Sequence, residues 1–386
     1  MRISNFRGFG TACLIALMAT AIGAHAQDAS FTIIPAQNTQ SYSVWARGVS
    51  ADGSVVVGVE EGTVFRWTEA GSTEHLSGSN WNNTFAAAVS ADGSTILSTV
   101  DDGTGVFSAA LFTDAAGWTS IGGLQAAPPS GGDGLSTGYS ISGDGSIAVG
   151  LAWVGGGWDA EAFIWNENDG MTGLGRPVDA NSRANDISAD GSVIVGWYEH
   201  EVNRCRRPAR WTPDGTVDVF LGTEICGEAM AISVDGSVIV GTATVPGNNY
   251  PTAFRYTDAG GWEDLGKLVP HPFHSAISSG IAENGTIVGL SGDSAAQNWT
   301  GFVWTEEDGM KSMSDVLTDL GVTSHDGWWL GEARDISADG TTIVGTAIDP
   351  GYYLRGFVAT IPVAEVFADG FESGDTSSWT STAGGR

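Results

Sequence analysis

The ten residues ISADGSVIVG at positions 187–196 return in close variants six more times along the chain. Aligned on the glycine that follows Asp or Asn, the copies fall at Gly53, Gly93, Gly145, Gly191, Gly236, Gly285 and Gly340, at intervals of 40 to 55 residues. A period in that range, built from strand-forming residues, points to a propeller rather than a helical solenoid. Most copies read as an apolar lead-in ending in Ile-Ser or Val-Ser, the phrase ADGS, and a run such as VIVG. The phrase suits a tight hairpin, because glycine takes positive φ without a Cβ clash and the preceding aspartate can bind its own backbone.

A third strand follows in the units (VFRWT, AFIWN, PARWT, AFRYT, FVWT), and a Gly- or Asp-bearing turn leads to a fourth, as in GWTSIGGL and GWEDLG. β-Branched and aromatic residues bounded by Gly, Asp and Ser are strand signals. Seven units of four strands predict an all-β fold, a seven-bladed β-propeller of four-stranded antiparallel blades. A parallel β-helix is the structural rival, but its coils tolerate little variation in length, whereas a propeller absorbs variation in loops. The last copy lacks a fourth strand after RGFVATIP, and the N-terminal region offers an orphan, FTIIP at residues 31–35. That strand is expected to complete the final blade and close the ring.

Residues 1–26 read as an export signal: Arg2 and Arg7 precede an apolar run over 11–23, too short to span a bilayer, and Ala-His-Ala ends at Ala26. The expected organisation is a signal peptide at 1–26, the repeat domain at 27–362, and a tail at 363–386 that is either a sorting tag or a disordered end. The expected location is outside the cytoplasm, periplasmic or extracellular, with no transmembrane anchor. Cleavage leaves 14 basic against 45 acidic side chains, a formal charge of −31. Such a surface repels nucleic acid and anionic lipid and favours a soluble monomer with neutral or cationic partners. Two cysteines remain, Cys205 and Cys226, and an even count in an oxidising compartment predicts a disulfide. Counting strands places both in loops at the same end of one blade.

The stretches AISVDGSVIVG, AFRYTDAGGWEDLG and GMKSMSDVLTDLGVTSHDGWWLGEARDISADGTTIVGTAIDPGYYLRGFVATIP resemble the HAF-repeat family of bacterial extracellular proteins, named for a His-Ala-Phe triplet at the third strand. The resemblance spans residues 42–362 and implies an exported, propeller-like repeat protein without established catalysis. The histidine of the triplet is missing here: Glu161, Pro208 and Thr252 stand before Ala162, Ala209 and Ala253. No role is therefore carried over to that position.

The metalloprotease pattern HExxH is not present. The turns place Asp52, Asp92, Asp144, Asp190, Asp235, Asp339 and Asn284 on one face. A calcium ion wants six to eight oxygens and each turn offers one carboxylate, so turn formation is their expected role. The spacing also departs from the Asp-box of sialidase-type propellers. His75, His200, His271, His274 and His325 are scattered through predicted loops, and the close pair His271 and His274 lacks a third ligand nearby. No metal or cofactor is expected, and the chain reads as a non-enzyme.

Candidate binding residues are those that break the repeat. Trp67, Trp165, Trp211 and Trp304 recur at one place in the third strand and read as packing. Trp81, Trp153, Trp158, Tyr250, Tyr352 and Tyr353 do not recur, and fall in loops at the end opposite the ADGS turns. Variable loops on a rigid scaffold are where binding concentrates. Trp153 and Trp158, in WVGGGW, are the first candidate ligand-binding pair. The second is Arg47 and Arg334, from a varied inner-strand position also occupied by Ala87, Tyr139, Asn185, Met230 and Ser279. Their alternative role is pairing with Asp335 and other acids around the channel. The expected function is a secreted binding module for an extracellular glycan or protein. The alternatives are a glycan-active enzyme with its site at the channel mouth, and a structural surface or matrix protein.

Overall fold

The hydrogen bonds of the ADGS phrase explain why its wording is fixed. A computed structural model describes residues 28–362 apart from 39–40, 71–72, 77–86, 102, 127, 129–133, 156–158, 176–179, 201–204, 223–224, 246, 248–249 and 294–297. In the first copy, the Ser50 N–H donates to Val55 O at 2.9 Å and the Gly53 N–H to Ser50 O at 3.0 Å. Asp52 Oδ1 accepts from the Ser50 hydroxyl at 2.8 Å and the Ser54 N–H at 3.0 Å, while the Val55 N–H donates to Ser50 Oγ at 2.9 Å. The same pattern recurs at Asp92, Asp144, Asp190, Asp235 and Asp339. The glycines sit at φ of +74° to +82°, where a Cβ is strained. Donors of its own turn, the Ser54 N–H first, hold the Asp52 carboxyl below its usual range.

The phrase also joins blade to blade. The Ala51 N–H donates to Ala91 O at 3.1 Å, Ala91 to Gly143 O at 2.9 Å, Gly143 to Ala189 O at 2.9 Å, and Ala189 to Val234 O at 3.1 Å. Glu283 bonds Ala338 O at 2.9 Å, and the Asp339 N–H reaches Ala51 O at 3.4 Å, joining the last turn to the first. A Cβ on Gly53 would stand 2.2 Å from the Thr342 hydroxyl of the neighbouring blade. At Gly53 glycine is therefore required by packing as well as by φ.

The described strands form seven antiparallel four-stranded sheets arranged as a seven-bladed β-propeller. The inner strands of blades 1 to 7 are Val44–Val49, Ala87–Val89, Ser136–Ile141, Ser182–Ile187, Cys226–Ile232, His274–Ile281 and Trp329–Ile336. Blade 7 continues outward through Thr342–Ile348 and Leu354–Thr360, and its outer strand is the N-terminal Ser30–Ile33. Ser30 pairs with Thr360 and Phe31 with Ala359, so the ring closes through the predicted N-terminal strand. The orphan was expected at 31–35; the ladder holds Ser30–Ile33 and is extended by the Ile34 N–H to Gly356 O at 2.8 Å. The expected signal and tail, residues 1–26 and 363–386, lie outside the described residues.

Packing follows the second half of the repeat. The glycine of VVVG or VIVG faces a third-strand phenylalanine in blades 1, 3, 5, 6 and 7: Gly58 opposes Phe65, Gly150 Phe163, Gly241 Phe254, Gly289 Phe302 and Gly345 Phe357. All five rings are fully buried, and a Cβ on Gly58 would meet the Phe65 ring at 2.6 Å. Trp67, Trp165, Trp211 and Trp304 share one ladder position, three of them buried and Trp165 half-buried.

The connection between blades 6 and 7 contains a helix, Met313–Asp319. Ser312 caps it by accepting from the Asp315 N–H, and Met313 and Leu317, one turn apart, are buried against the blade 7 core. No helix among the described residues is long and apolar enough to cross a membrane.

Candidate functional site

The seven inner strands surround a cavity of about 520 Å³ whose lining runs from the turn residues Ala51, Ala91, Gly143, Ala189, Val234 and Ala338 to Arg47, Ala87, Tyr139, Asn185, Met230, Ser279 and Arg334. The second group is the varied position noted in the sequence. In blades 1, 3, 4, 5, 6 and 7 that residue is the extra one of a β-bulge: the register skips between Ala46 and Gly48, Gly138 and Ser140, Ala184 and Asp186, Ala229 and Ala231, Ser278 and Gly280, and Ala333 and Asp335. A bulge re-aims the side chain of its extra residue. The repeat thus carries a device that turns one residue per blade toward the channel, and its chemistry varies while the backbone does not.

Arg47 and Arg334 are brought together there, on adjoining blades. Of the acids anticipated as partners, Glu332 is paired with both and Asp335 is not: Arg47 Nη1 lies 3.5 Å from Glu332 Oε2, and Arg334 Nη1 lies 3.7 Å from Glu332 Oε1. The physical reason is the bulge, which separates Arg334 from Asp335 in orientation and leaves the Asp335 carboxylate bound to backbone. Arg47 also lies over Trp45, 4.7 Å from the ring centroid. Burial first, and Arg334 further, lower the Arg47 guanidinium to about 10 against the pull of Glu332. Across the ring, Arg183 donates to Glu228 Oε2 at 2.8 Å and Asn185 Oδ1 at 2.6 Å, and lies 4.7 Å from the centroid of Tyr139.

Two carboxyls face the lumen, Asp186 in blade 4 and Asp335 in blade 7, each immediately before the inner-strand isoleucine. Each ties its blade to the next: the Ile232 N–H donates to Asp186 Oδ2 at 2.9 Å, and the Val49 N–H to Asp335 Oδ2 at 3.1 Å. Each also accepts from its following N–H at 2.9 Å. They differ in one bond, since the Ser140 hydroxyl donates to Asp186 at 2.6 Å. Blade 6 places Gly280 where blade 3 has Ser140, so Asp335 lacks that bond. Both touch the lumen yet are ringed by protein. Burial raises both, Asp335 to about 7, with repulsion from Asp186 adding to it and Arg334 opposing it. Neither Asp186 nor Arg183 was singled out from sequence, because blade-to-blade adjacency is what gives them meaning.

The end opposite the turns carries the non-recurring aromatics. Tyr42, just before the first inner strand, is 68% exposed and its ring centroid lies 5.4 Å from that of Tyr353; Tyr352 is 88% exposed. Among the described residues, the non-glycine residues at positive φ are Glu61 at +48° and Tyr352 at +67°. Glu61 bonds the Tyr42 backbone, and Tyr352 immediately precedes Tyr353. Glu61 Oε1 accepts from the Tyr42 N–H at 2.7 Å and the Ser43 N–H at 3.1 Å. Asp349 Oδ1 accepts from the Gly351 and Tyr353 N–H groups at 2.7 and 2.9 Å. Arg355 lies 5.1 Å from the Tyr353 ring centroid and donates to Ser41 O at 3.0 Å.

Trp153 ends the second strand of blade 3, half-buried, with its indole nitrogen close to Gly134 and its backbone N–H donating to Leu135 O at 3.0 Å. Trp158 and Trp81 lie outside the described residues. Tyr250 and Phe273 meet edge to face at 5.6 Å, and His271 lies 5.1 Å from His274. No group of three or more His, Cys, Asp or Glu among the described residues is arranged to hold a metal. His325, expected in a loop, lies in a turn and is buried, 6.2 Å from Phe31. Cys205 and Cys226 form the predicted disulfide, with Cα atoms 5.6 Å apart. It was expected between two loops of one blade; instead it crosses a seam, from the residue before the third strand of blade 4 to the first residue of the blade 5 inner strand, because Cys226 already belongs to the next blade's ladder.

No protein-family profile matches the chain, and no curated protein matches it. Solved structures do. The β-propeller domain of the trilobed protease from Pyrococcus furiosus, described as having an open velcro topology, is 12% identical with a TM-score of 0.57, over 83% of this chain and 95% of that one. An oligogalacturonate lyase in complex with manganese is 15% identical with a TM-score of 0.53, over 87% and 97%. A prolyl endopeptidase is 11% identical with a TM-score of 0.50, over 84% of this chain and 51% of its own. At such identities the likeness is one of fold, the β-propeller. The present chain differs from the open velcro description in that an N-terminal strand completes its last blade.

Proposed function

We propose that this is an exported, monomeric, non-catalytic binding module, related to HAF-repeat proteins, that holds an extracellular glycan or protein on the end opposite its ADGS turns. The observation that carries this reading is the strained, exposed display of Tyr352 next to Tyr353, whose ring packs on Tyr42. Backbone strain in an ordered loop persists where the surroundings hold it, and it clusters at binding and catalytic sites. Exposed tyrosines supply large contact area with few rotors to freeze. The disulfide beside the same face is consistent with an oxidising compartment.

A second reading is a glycan-active propeller enzyme working through the channel. The enclosed Asp335 carboxyl, held near neutrality, favours it. A glycan array combined with a reducing-end assay on purified protein separates the two. Binding without turnover that is lost in Tyr352→Ala supports the binding module, whereas product release that survives Tyr352→Ala and is lost in Asp335→Asn supports the enzyme.

A further inference from the structure

We propose that the seam between blades 3 and 4 holds a small monovalent anion, of chloride size, against the buried guanidinium of Arg207. This site uses neither the channel nor the aromatic surface and stands or falls independently of both.

The third strand of blade 4, Arg206–Trp211, carries three arginines. Arg206 pairs with Glu228, and Arg210 with Asp218 at 2.8 Å and Asp258 at 3.0 Å. Arg207 alternates to the opposite face, is only 4% exposed, and its Nε and Nη1 atoms have no hydrogen-bond partner among the described residues. The other described arginines, Arg47, Arg66, Arg183, Arg255, Arg334 and Arg355, each pair with a carboxylate. The chain carries 45 acidic residues against 16 basic ones, yet places none of those carboxylates on Arg207 among the described residues. A charge taken out of water is costly unless it is paired and hydrogen-bonded, so a buried guanidinium calls for a counter-ion.

The ladder shows what surrounds it. Ser182 pairs with Tyr198 and Tyr198 with Arg207, so the three side chains stand in one row across the blade. That row faces blade 3: Tyr198 packs with Val149, Ala162 and Ile164, and the Ala162 N–H donates to Ser182 Oγ at 2.9 Å. The Ser182 oxygen is thereby used as an acceptor, which leaves its O–H to donate. Tyr198 is not the counter-ion, because burial raises its phenol above the usual value against the pull of Arg207, and it stays neutral. Two residues further along the same face, Gly196 stands opposite Ala209. Five other blades fill that place with a buried phenylalanine ring, and blade 4 does not.

The internal repeat supplies the control. Blade 7 has Arg355 at the position of Arg207, and there the protein satisfies it: Arg355 Nη1 donates to Ser41 O at 3.0 Å and Leu354 O at 3.1 Å, and Nη2 lies 3.6 Å from Asp349 Oδ2. Blade 3 has Glu161 there, which accepts from the Gly175 N–H at 3.0 Å, and blade 5 has Thr252, which donates to Gly266 O at 3.1 Å. Arg207 departs from that pattern. Guanidinium, phenol and serine hydroxyl together make a set of donors, which selects an anion over a cation. One positive charge is balanced by a monovalent ion, whereas a dianion leaves a buried negative charge uncompensated. Enclosure between two packed blades selects an ion of chloride or bromide size over an organic acid.

Two measurements on the purified protein test this: bromide located by anomalous scattering in bromide-soaked crystals, and melting temperature in sodium chloride against sodium gluconate at equal ionic strength. Equal ionic strength cancels the general screening that any salt gives so acidic a chain. The expected result is a bromide in contact with the Arg207 guanidinium. The melting temperature should rise by about 2 °C for each tenfold increase of chloride above its dissociation constant, with no such rise in gluconate. Arg207→Met keeps the apolar stem and removes the charge, and should lose both the bromide and the chloride dependence. If that variant does not fold, the bromide position and the chloride-over-gluconate difference in the wild type decide the question by themselves. No bromide at Arg207, equal melting in the two salts, or a chloride dependence that persists in a folded Arg207→Met protein overturns the proposal. Bromide at Arg207 with equal melting in the two salts is an adventitious ion only, and overturns it as well.

Discussion

The ring of Phe31, in the first strand of the chain, lies 5.4 Å from that of Phe357, in the last. Residues from opposite ends of the domain thus share one blade core, with Met313, Leu317 and Leu330 around them. Ring closure is therefore a packing event as much as a hydrogen-bonding one. Phe31→Ala removes a side chain that is 6% exposed and is expected to cost about 3 kcal/mol or more, by lost transfer free energy plus a cavity. The loss should appear as a lower urea midpoint with a single transition. A two-step transition, with most of the domain melting at the wild-type midpoint, would show that the last blade is not coupled to the ring.

A second expectation separates backbone strain from blade packing. Gly53 and Gly103 both have positive φ, +74° and +87°. A Cβ meets Thr342 at 2.2 Å in the first case and nothing within 4 Å in the second. Both alanine variants should be destabilised by about 1–2 kcal/mol for the left-handed conformation. Gly53→Ala should lose roughly another 1–3 kcal/mol for the clash across the seam. Equal losses in chemical denaturation would assign the conserved wording of the turn to φ alone.

The Cys205–Cys226 bond spans 21 residues and crosses from blade 4 to blade 5. Chain entropy values such a loop at about 3 kcal/mol, so the Cys205→Ser, Cys226→Ser double variant should unfold at a correspondingly lower denaturant concentration. Peptide mapping without reductant should recover the linked pair from exported protein.

What the sequence disclosed was whatever the repeat or a chain end encodes locally. The hairpins at Gly53 to Gly340, the orphan N-terminal strand, the third-strand tryptophans and the disulfide all follow from turn chemistry, strand counting or cysteine parity. What it withheld depends on which blades touch. Glu332 partners Arg47 because the ring closes, and Asp335 differs from Asp186 because Gly280 sits where the other seam has Ser140. The bulge itself was visible only as a varied position, since an extra residue in a strand leaves no compositional mark. Tyr42 has no mark in its local sequence, and Tyr353, more than 300 residues away, reaches it only through closure. The helix Met313–Asp319 is too short for a periodic signal to outweigh the all-β context.

Asp335 also makes a prediction about stability and pH. Its carboxyl is raised in the folded state, chiefly by burial, to about 7. Unfolded, an aspartate ionises near about 3.9. Between those values the folded chain holds one proton more than the unfolded chain, so stability falls as pH rises through that window and levels off above it. Asp335→Asn preserves an acceptor for the Val49 N–H and removes the titration. The variant should therefore show a shallower decline between about pH 4 and pH 7 and match or exceed the wild type at higher pH. Identical slopes in urea unfolding would mean that Asp335 is ionised with its ordinary affinity.

Tyr352 sets stability against binding. Its backbone is at φ +67° and its side chain is 88% exposed, so the ring contributes little packing while the conformation is strained. Glycine relieves about 1–2 kcal/mol of left-handed strain, offset by about 0.4–1 kcal/mol of added freedom in the unfolded chain. Tyr352→Gly should therefore be as stable as the wild type or up to about 1.6 kcal/mol more so, yet lose partner capture. Trp153→Ala is the converse control: that side chain is half-buried against Gly134, and its loss should lower the melting temperature while the folded protein still binds. Melting and partner retention measured on both variants read the two roles separately. A Tyr352→Gly protein that binds normally would remove the aromatic seam as the docking surface. A Trp153→Ala protein that keeps its melting temperature and loses binding would move that surface to blade 3.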